Sequence, residues 1–217
     1  TPLTSSAASD VYKRQGPSCI AEPAEPMPRP AATLQQRLRL VPFEPSLAER
    51  YQVSASLTWL ISGALTLNFE VLSQDGLTEL VLPQPLIDGE QHNGVRRDGL
   101  WTSTCFEAFL GLPGESRYWE INLAANGDWA VYRFSDYRSG QAEQSQPDPP
   151  LVHLRRSQHR LGLEASLDLS PWWPQGICPD IALTTVLDRG DKGLSYWAIS
   201  HPSDRADFHQ RSAFLKS

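Results

Sequence analysis

The stretch VSASLTWL (residues 53–60), ISG (61–63) and ALTLNFEVL (64–72) decides the fold. Val53, Ala55, Leu57 and Trp59 recur at every second position, and Leu65, Leu67, Phe69 and Val71 repeat the pattern after the turn. A side-chain period of two belongs to a strand with one face in a core and the other in water. Three residues ending in glycine between two such runs predict a hairpin. Upstream, LQQRLRLV (34–41) is a shorter run stopped by Pro42. Downstream, LTELVL (77–82) is a short apolar run closed by Pro83 and Pro85, and 86–99 is a polar loop.

Further strands are expected at TCFEAFL (104–110), YWEINL (118–123), DWAVYRF (128–134), LVHLRR (151–156), LGLEASLDL (161–169), IALTTVL (181–187) and LSYWAIS (194–200). Asn126-Gly127 is a strong hairpin signal between the third and the second of these. Trp172-Trp173, between two prolines, reads as a plug in an irregular loop. About ten short strands between Gly, Pro and Asn turns, with no amphipathic helical period, predict an all-β, antiparallel, jelly-roll-like β-sandwich.

The chain has 217 residues, enough to bury a core without disulfides or metal. Nineteen Lys and Arg against 25 Asp and Glu give a net charge of −6, which argues against a nucleic-acid binder. No apolar run approaches the length of a membrane span. Cys19, Cys105 and Cys178 show neither metal spacing nor a disulfide framework, and no cofactor is expected. Residues 1–15 show neither period and resemble a translated adaptor scar, and 16–30 are proline-rich. Residues 1–33 are therefore expected to be a disordered or artefactual tail, with Met27 as the natural start and the domain over 34–217. Nothing after Met27 reads as a leader, so a cytoplasmic protein is expected.

The middle strands carry the chemistry. In 118–123, Trp119, Ile121 and Leu123 point one way, and Tyr118, Glu120 and Asn122 the other. In 104–110, Glu107 shares its face with Cys105 and Phe109, so its carboxylate needs a partner, which Arg133 or Arg138 could supply. In 128–134, Tyr132 and Phe134 share one face, and Trp129, Val131 and Arg133 the other. Aromatic faces beside carboxylates and amides suit a saccharide, whose ring stacks while its hydroxyls bond. Trp101, Trp119, Trp129 and Trp197 are candidate stacking surfaces, with Trp119 the one best placed for the core.

The segments GLWTSTCFEAFL (99–110), YWEIN (118–122) with NGDW (126–129), and SYWAISHP (195–202) resemble type 9 carbohydrate-binding modules and the related DOMON-like domains. Ala206-Asp207-Phe208-His209 with Phe214 adds to the likeness, which covers most of the chain from Leu34 and is nearest to small stand-alone DOMON-like proteins of cyanobacteria. The resemblance implies a non-catalytic, ligand-binding sandwich. It implies a sugar clamped by Trp101 and Trp197, with Glu107, six residues after Trp101, as hydrogen-bond partner. Where the family has Arg-x-Asn, this chain has Glu120-x-Asn122, which changes the charge of the cleft. The expected ligand-binding set is Trp101, Glu107, Glu120, Asn122, Tyr132, Arg133 and Trp197. DOMON relatives also bind haem through Met and His, but Met27 precedes the fold, and no pair among His92, His153, His159, His201 and His209 has helpful spacing. His201 and His209 with Asp204 or Asp207 lack a recognised metal spacing. Two alternatives stay open: a glycoside hydrolase using Glu107 and Glu120 as a carboxylate pair, and a structural or interaction sandwich with no small ligand.

Overall fold

A computed structural model describes residues 32–84, 91–92 and 94–217. The expected tail, including Met27, lies outside the described residues except for 32 and 33, which begin the first strand. Among the described residues there are twelve strands and no α-helix: β1 (Ala32–Pro42), β2 (Tyr51–Leu60), β3 (Ala64–Ser73), β4 (Gln91–His92), β5 (Cys105–Gly111), β6 (Tyr118–Ala124), β7 (Trp129–Phe134), β8 (Ala142–Glu143), β9 (Leu151–Arg156), β10 (Arg160–Asp168), β11 (Asp180–Asp188) and β12 (Leu194–Ala198). The run 77–82 is not a strand; it is a connection of turns.

Every pairing between these strands is antiparallel. The order is β4-β9-β10-β3-β2-β1-β12-β11-β5-β6-β7-β8, a sheet folded on itself into a sandwich. The fold happens at β1. Leu34–Leu40 pair with β2 along the first half, and Val41 and Pro42 then pair with Ala198 and Trp197 of β12 to open the second. The β2–β3 hairpin turns at Gly63, whose φ of +96° suits glycine. A Cβ there would also meet Ser170 N at 2.7 Å.

The two halves differ in how they are covered. β2, β3 and β10 alternate buried with exposed or half-buried residues, as a sheet with one wet face should. β5 and β6 are buried at every position. Their inward rows, Phe106, Ala108, Leu110 and Trp119, Ile121, Leu123, join Leu57, Trp59, Leu67, Phe69 and Trp197 in the inter-sheet core. Phe69 and Phe106 meet across it with ring centroids 5.3 Å apart. Trp173 is buried in the same core, and Trp172 stacks on Trp119 at 5.6 Å. The outward rows form a second cluster containing Cys105, Phe109, Tyr118, Ala130, Tyr132, Phe134, Val186 and Phe214. The C-terminal segment from 201 onward and the turn at Leu100–Thr102 lie against that outward face.

Candidate functional site

The outward face of the second half holds a half-open cavity of about 390 Å³. Strand parity builds its floor. Glu107 of β5, and Glu120 of β6 opposite Phe109, project outward among aromatic neighbours. Glu107 is 2% exposed and Glu120 5%. Thr184 of β11, opposite Glu107 in the ladder, donates its hydroxyl to Glu107 Oε2 at 2.9 Å. Asn122 is fully buried and donates its amide to Glu120 Oε1 at 2.8 Å. The Cys105 thiol lies 3.6 Å from Asn122 Oδ1 and holds the amide in turn.

Loops build the walls. Gly99, at φ +77°, starts the 3-10 turn that carries Trp101 and Thr102 to the rim. Trp101 is 40% exposed and is met edge-on by Tyr132, centroids 5.9 Å apart. The Tyr132 hydroxyl is fixed by Asp98 at 2.5 Å, and Arg96 sits over its ring. Tyr196 and Leu194 of β12 form the opposite wall, with Phe208 and His209 from the C-terminal segment. Arg138 and Gln141 enter from the connection between β7 and β8. Arg138 has φ +47°, a conformation non-glycine residues rarely adopt and one that surrounding bonds must hold. Its guanidinium is 2.9 Å from Asp207, which also accepts from Tyr137 and from the His209 N–H.

The electrostatics follow from burial. Glu107 is pushed above the ordinary carboxylate range by burial and then by the charge of Glu120, with Thr184, Cys105 and Arg138 pulling the other way. Glu120 is raised by burial, against the Asn122 amide and Arg138. Burial and the Arg138 charge push His209 down to about 4, so its ring is neutral at pH 7. Its Nδ1 shares a 2.8 Å hydrogen bond with Tyr118 Oη, and its Nε2 stands 3.8 Å from Glu120 Oε2. Burial opposes ionisation of Asp207, but hydrogen bonds from Tyr137, Arg138 and the His209 N–H outweigh it and hold its carboxyl below the usual range.

The structure brings Trp101, Glu107 and Glu120 together in one cavity. Asn122 lies beneath it and orients Glu120, and Tyr132 props Trp101. Two expected members lie elsewhere. Trp197 is 1% exposed and points into the inter-sheet core, because it pairs with Thr185 in the parity that faces β2; its indole donates to Ser195 Oγ at 3.2 Å. Its neighbour Tyr196 holds the cavity wall instead. Arg133 shares the row of Trp119, the core-side row, and ends exposed where that row runs out beside β8. Of the two arginines considered as partners for Glu107, it is Arg138 that reaches the cavity. Sequence reasoning did not select Tyr196, Phe208, His209 or Gln141. Phe109 and Phe134 were already on the correct face by alternation. Among the described residues, no group of three or more His, Cys, Asp or Glu is placed to hold a metal ion.

No protein-family model matches the sequence, and no curated protein is significantly similar to it. Among solved structures, one from Bacteroides uniformis, described as that of a candidate carbohydrate-binding protein, superimposes with a TM-score of 0.55. The match covers 84% of each chain at 16% identity, so the likeness is one of fold.

Proposed function

We propose that this protein is a non-catalytic saccharide-binding module that holds its ligand in the cavity between Trp101 and Tyr196. The observation that carries the reading is the pairing, in one half-open cavity, of an exposed indole with a floor of two buried carboxyl groups, one of them oriented by a buried amide beneath it. An indole face matches the C–H face of a pyranose, and fixed polar groups beneath it select hydroxyl positions. Trp101 stacks on the ring, Glu107 and Glu120 hydrogen-bond it from below, and Arg138 and Gln141 meet it at the rim. The fold shared with a candidate carbohydrate-binding protein supports the reading. So do the motifs that resemble type 9 modules and DOMON-like domains.

The test is calorimetric titration of the full chain with neutral, acidic and amino mono- and oligosaccharides, repeated with Trp101→Ala. A sugar in the panel should bind, and Trp101→Ala should weaken it at least about tenfold. The variant should keep its melting temperature, because the side chain is at the rim. A folded protein that binds nothing in the panel would leave a structural or interaction sandwich, and turnover of aryl glycosides would make it an enzyme.

A further inference from the structure

Within the binding reading above, the two glutamates at the cavity floor say more about the ligand than the tryptophan does. Glu120 is more than nine-tenths buried and lines the cavity, yet among the described residues only its Oε1 accepts a hydrogen bond. His209 Nε2 stands 3.8 Å from Oε2, beyond hydrogen-bond distance. Thr184, Asn122 and Cys105 are neutral, and so is the imidazole of His209 at pH 7. The one cation beside the pair among the described residues is Arg138, and its guanidinium is engaged by Asp207 at 2.9 and 3.3 Å. Arg138 and Asp207 together contribute no net charge, while the floor carries up to two negative charges. Above the floor stand the faces and edges of Trp101, Phe109, Phe134, Tyr196 and Phe208. Aromatic walls around carboxylates favour a positive charge through both the ring quadrupole and direct attraction.

The geometry points to an amino sugar with a free ammonium group as the ligand, its ring on Trp101 and its N⁺–H groups on Glu120 Oε2 and Glu107. A neutral sugar would leave the floor protonated, and would offer one O–H or N–H donor where an ammonium offers three. An ammonium lets both glutamates ionise, so binding must expel protons from them. The charged groups beside the pair are Arg138 on the β7–β8 connection and Asp207 on the C-terminal segment; the titratable but uncharged ones are His209 on the same segment, the Tyr118 hydroxyl on β6 and the Cys105 thiol on β5, which burial holds un-ionised.

The experiment is calorimetric titration of the full chain with D-glucosamine, D-glucose and N-acetyl-D-glucosamine, and with their β-1,4-linked oligomers, at pH 6. Each is run in two buffers of different ionisation enthalpy to count protons released. The amine ligand should bind at least about tenfold more tightly than its hydroxyl and acetamido counterparts, the margin of a charge-assisted hydrogen bond. It should release protons, and the preference should vanish in Glu107→Gln/Glu120→Gln. That variant replaces carboxyls by isosteric amides, and the proton count on the unmodified protein needs no variant. Equal binding of the neutral sugars, or amine binding without proton release, overturns the inference and leaves the saccharide site standing. A folded protein that binds none of the six overturns the inference, and one that also binds nothing in the wider panel overturns the saccharide reading with it.

Discussion

Asp128, Asp180 and Asp207 are buried as deeply as Glu107 and Glu120, yet the two sets live in different surroundings. Each aspartate has a cation against it. Arg97 is 2.8 Å from Asp128, Arg138 is 2.9 Å from Asp207, and Asp180 takes both Arg211 at 3.0 Å and Lys216 at 2.8 Å. The glutamates rest on a hydroxyl, an amide and a neutral imidazole. The aspartates stitch loops and the C-terminal segment to the sheet. The glutamates lie on regular strands and stabilise nothing by their charge. The three buried acids that hold the fold have counter-ions; the two at the floor of the cavity do not, and that difference is what the proposed binding role rests on.

The largest expected effect tests the structural set. Asp180→Asn removes the charge that Arg211 and Lys216 share and weakens the anchor for the Ser217 N–H, while Arg211 stays largely buried with its Leu112 carbonyl contact at 2.8 Å. Breaking a buried pair from one side is costly, and urea unfolding should show a loss of about 2–4 kcal/mol. A loss below about 1 kcal/mol would mean that the C-terminal segment is not held by the Asp180 carboxylate, and the contrast between the sets would collapse.

The pH dependence of stability sharpens the contrast, because the floor and His209 titrate in opposite senses. An unfolded glutamate ionises near pH 4.3, and the buried pair ionises at higher pH. Between those values the folded state holds more protons, so stability falls as pH rises through the window. His209 is shifted from 6.5 down to about 4. There the unfolded state holds more protons, so its contribution is complete above pH 6.5 and is lost as pH falls toward 4. Glu107→Gln/Glu120→Gln should be roughly 1–3 kcal/mol more stable than the parent at pH 8 and should lose up to about 3 kcal/mol on acidification to pH 4. His209→Gln should instead gain stability between pH 7 and pH 5. Urea midpoints across pH 4–8 separate the three proteins, and parallel profiles would show that neither group is perturbed.

Why some of this was legible in the sequence and some was not comes down to parity. In β5 and β6 the acids and the amide stand in apolar runs and mark one face, so Glu107, Glu120 and Asn122 were legible as polar groups on the non-core rows, and alternation alone put Tyr132 and Phe134 of β7 on a common face. In β12 the run LSYWA buries residues on both faces, and alternation alone does not say which face is the core. The register with β11, which sets Trp197 against Thr185 and Tyr196 against Val186, decides it, and that register is a tertiary fact. Phe208 and His209 follow Pro202 in a segment with no period. They reach the cavity because Asp207 and Asp180 pin that segment down, which no local pattern announces. Arg138 depends on a left-handed residue in the turn Asp136–Ser139, equally silent in the sequence.

The smallest expected effect comes from the outer face of the first half of the sandwich, where Ser54, Ser56, Asn68, Glu70, Arg155 and Glu164 line an open depression of about 550 Å³. It is larger than the cavity over Glu120 and contains several charges, so size and charge alone would favour it. Phe69 is the one Phe, Tyr or Trp in its lining, and that ring is buried in the core. Its Arg160–Glu70 ion pair has side chains 63% and 28% exposed. Water already solvates such a pair, and double-mutant measurements of the kind give about 0.2–1 kcal/mol. Arg160→Ala should therefore cost less than about 1 kcal/mol in urea unfolding and leave saccharide affinity within error. If it weakens binding as Trp101→Ala does, the ligand spans both faces, and a buried acid without a counter-ion would no longer mark the site.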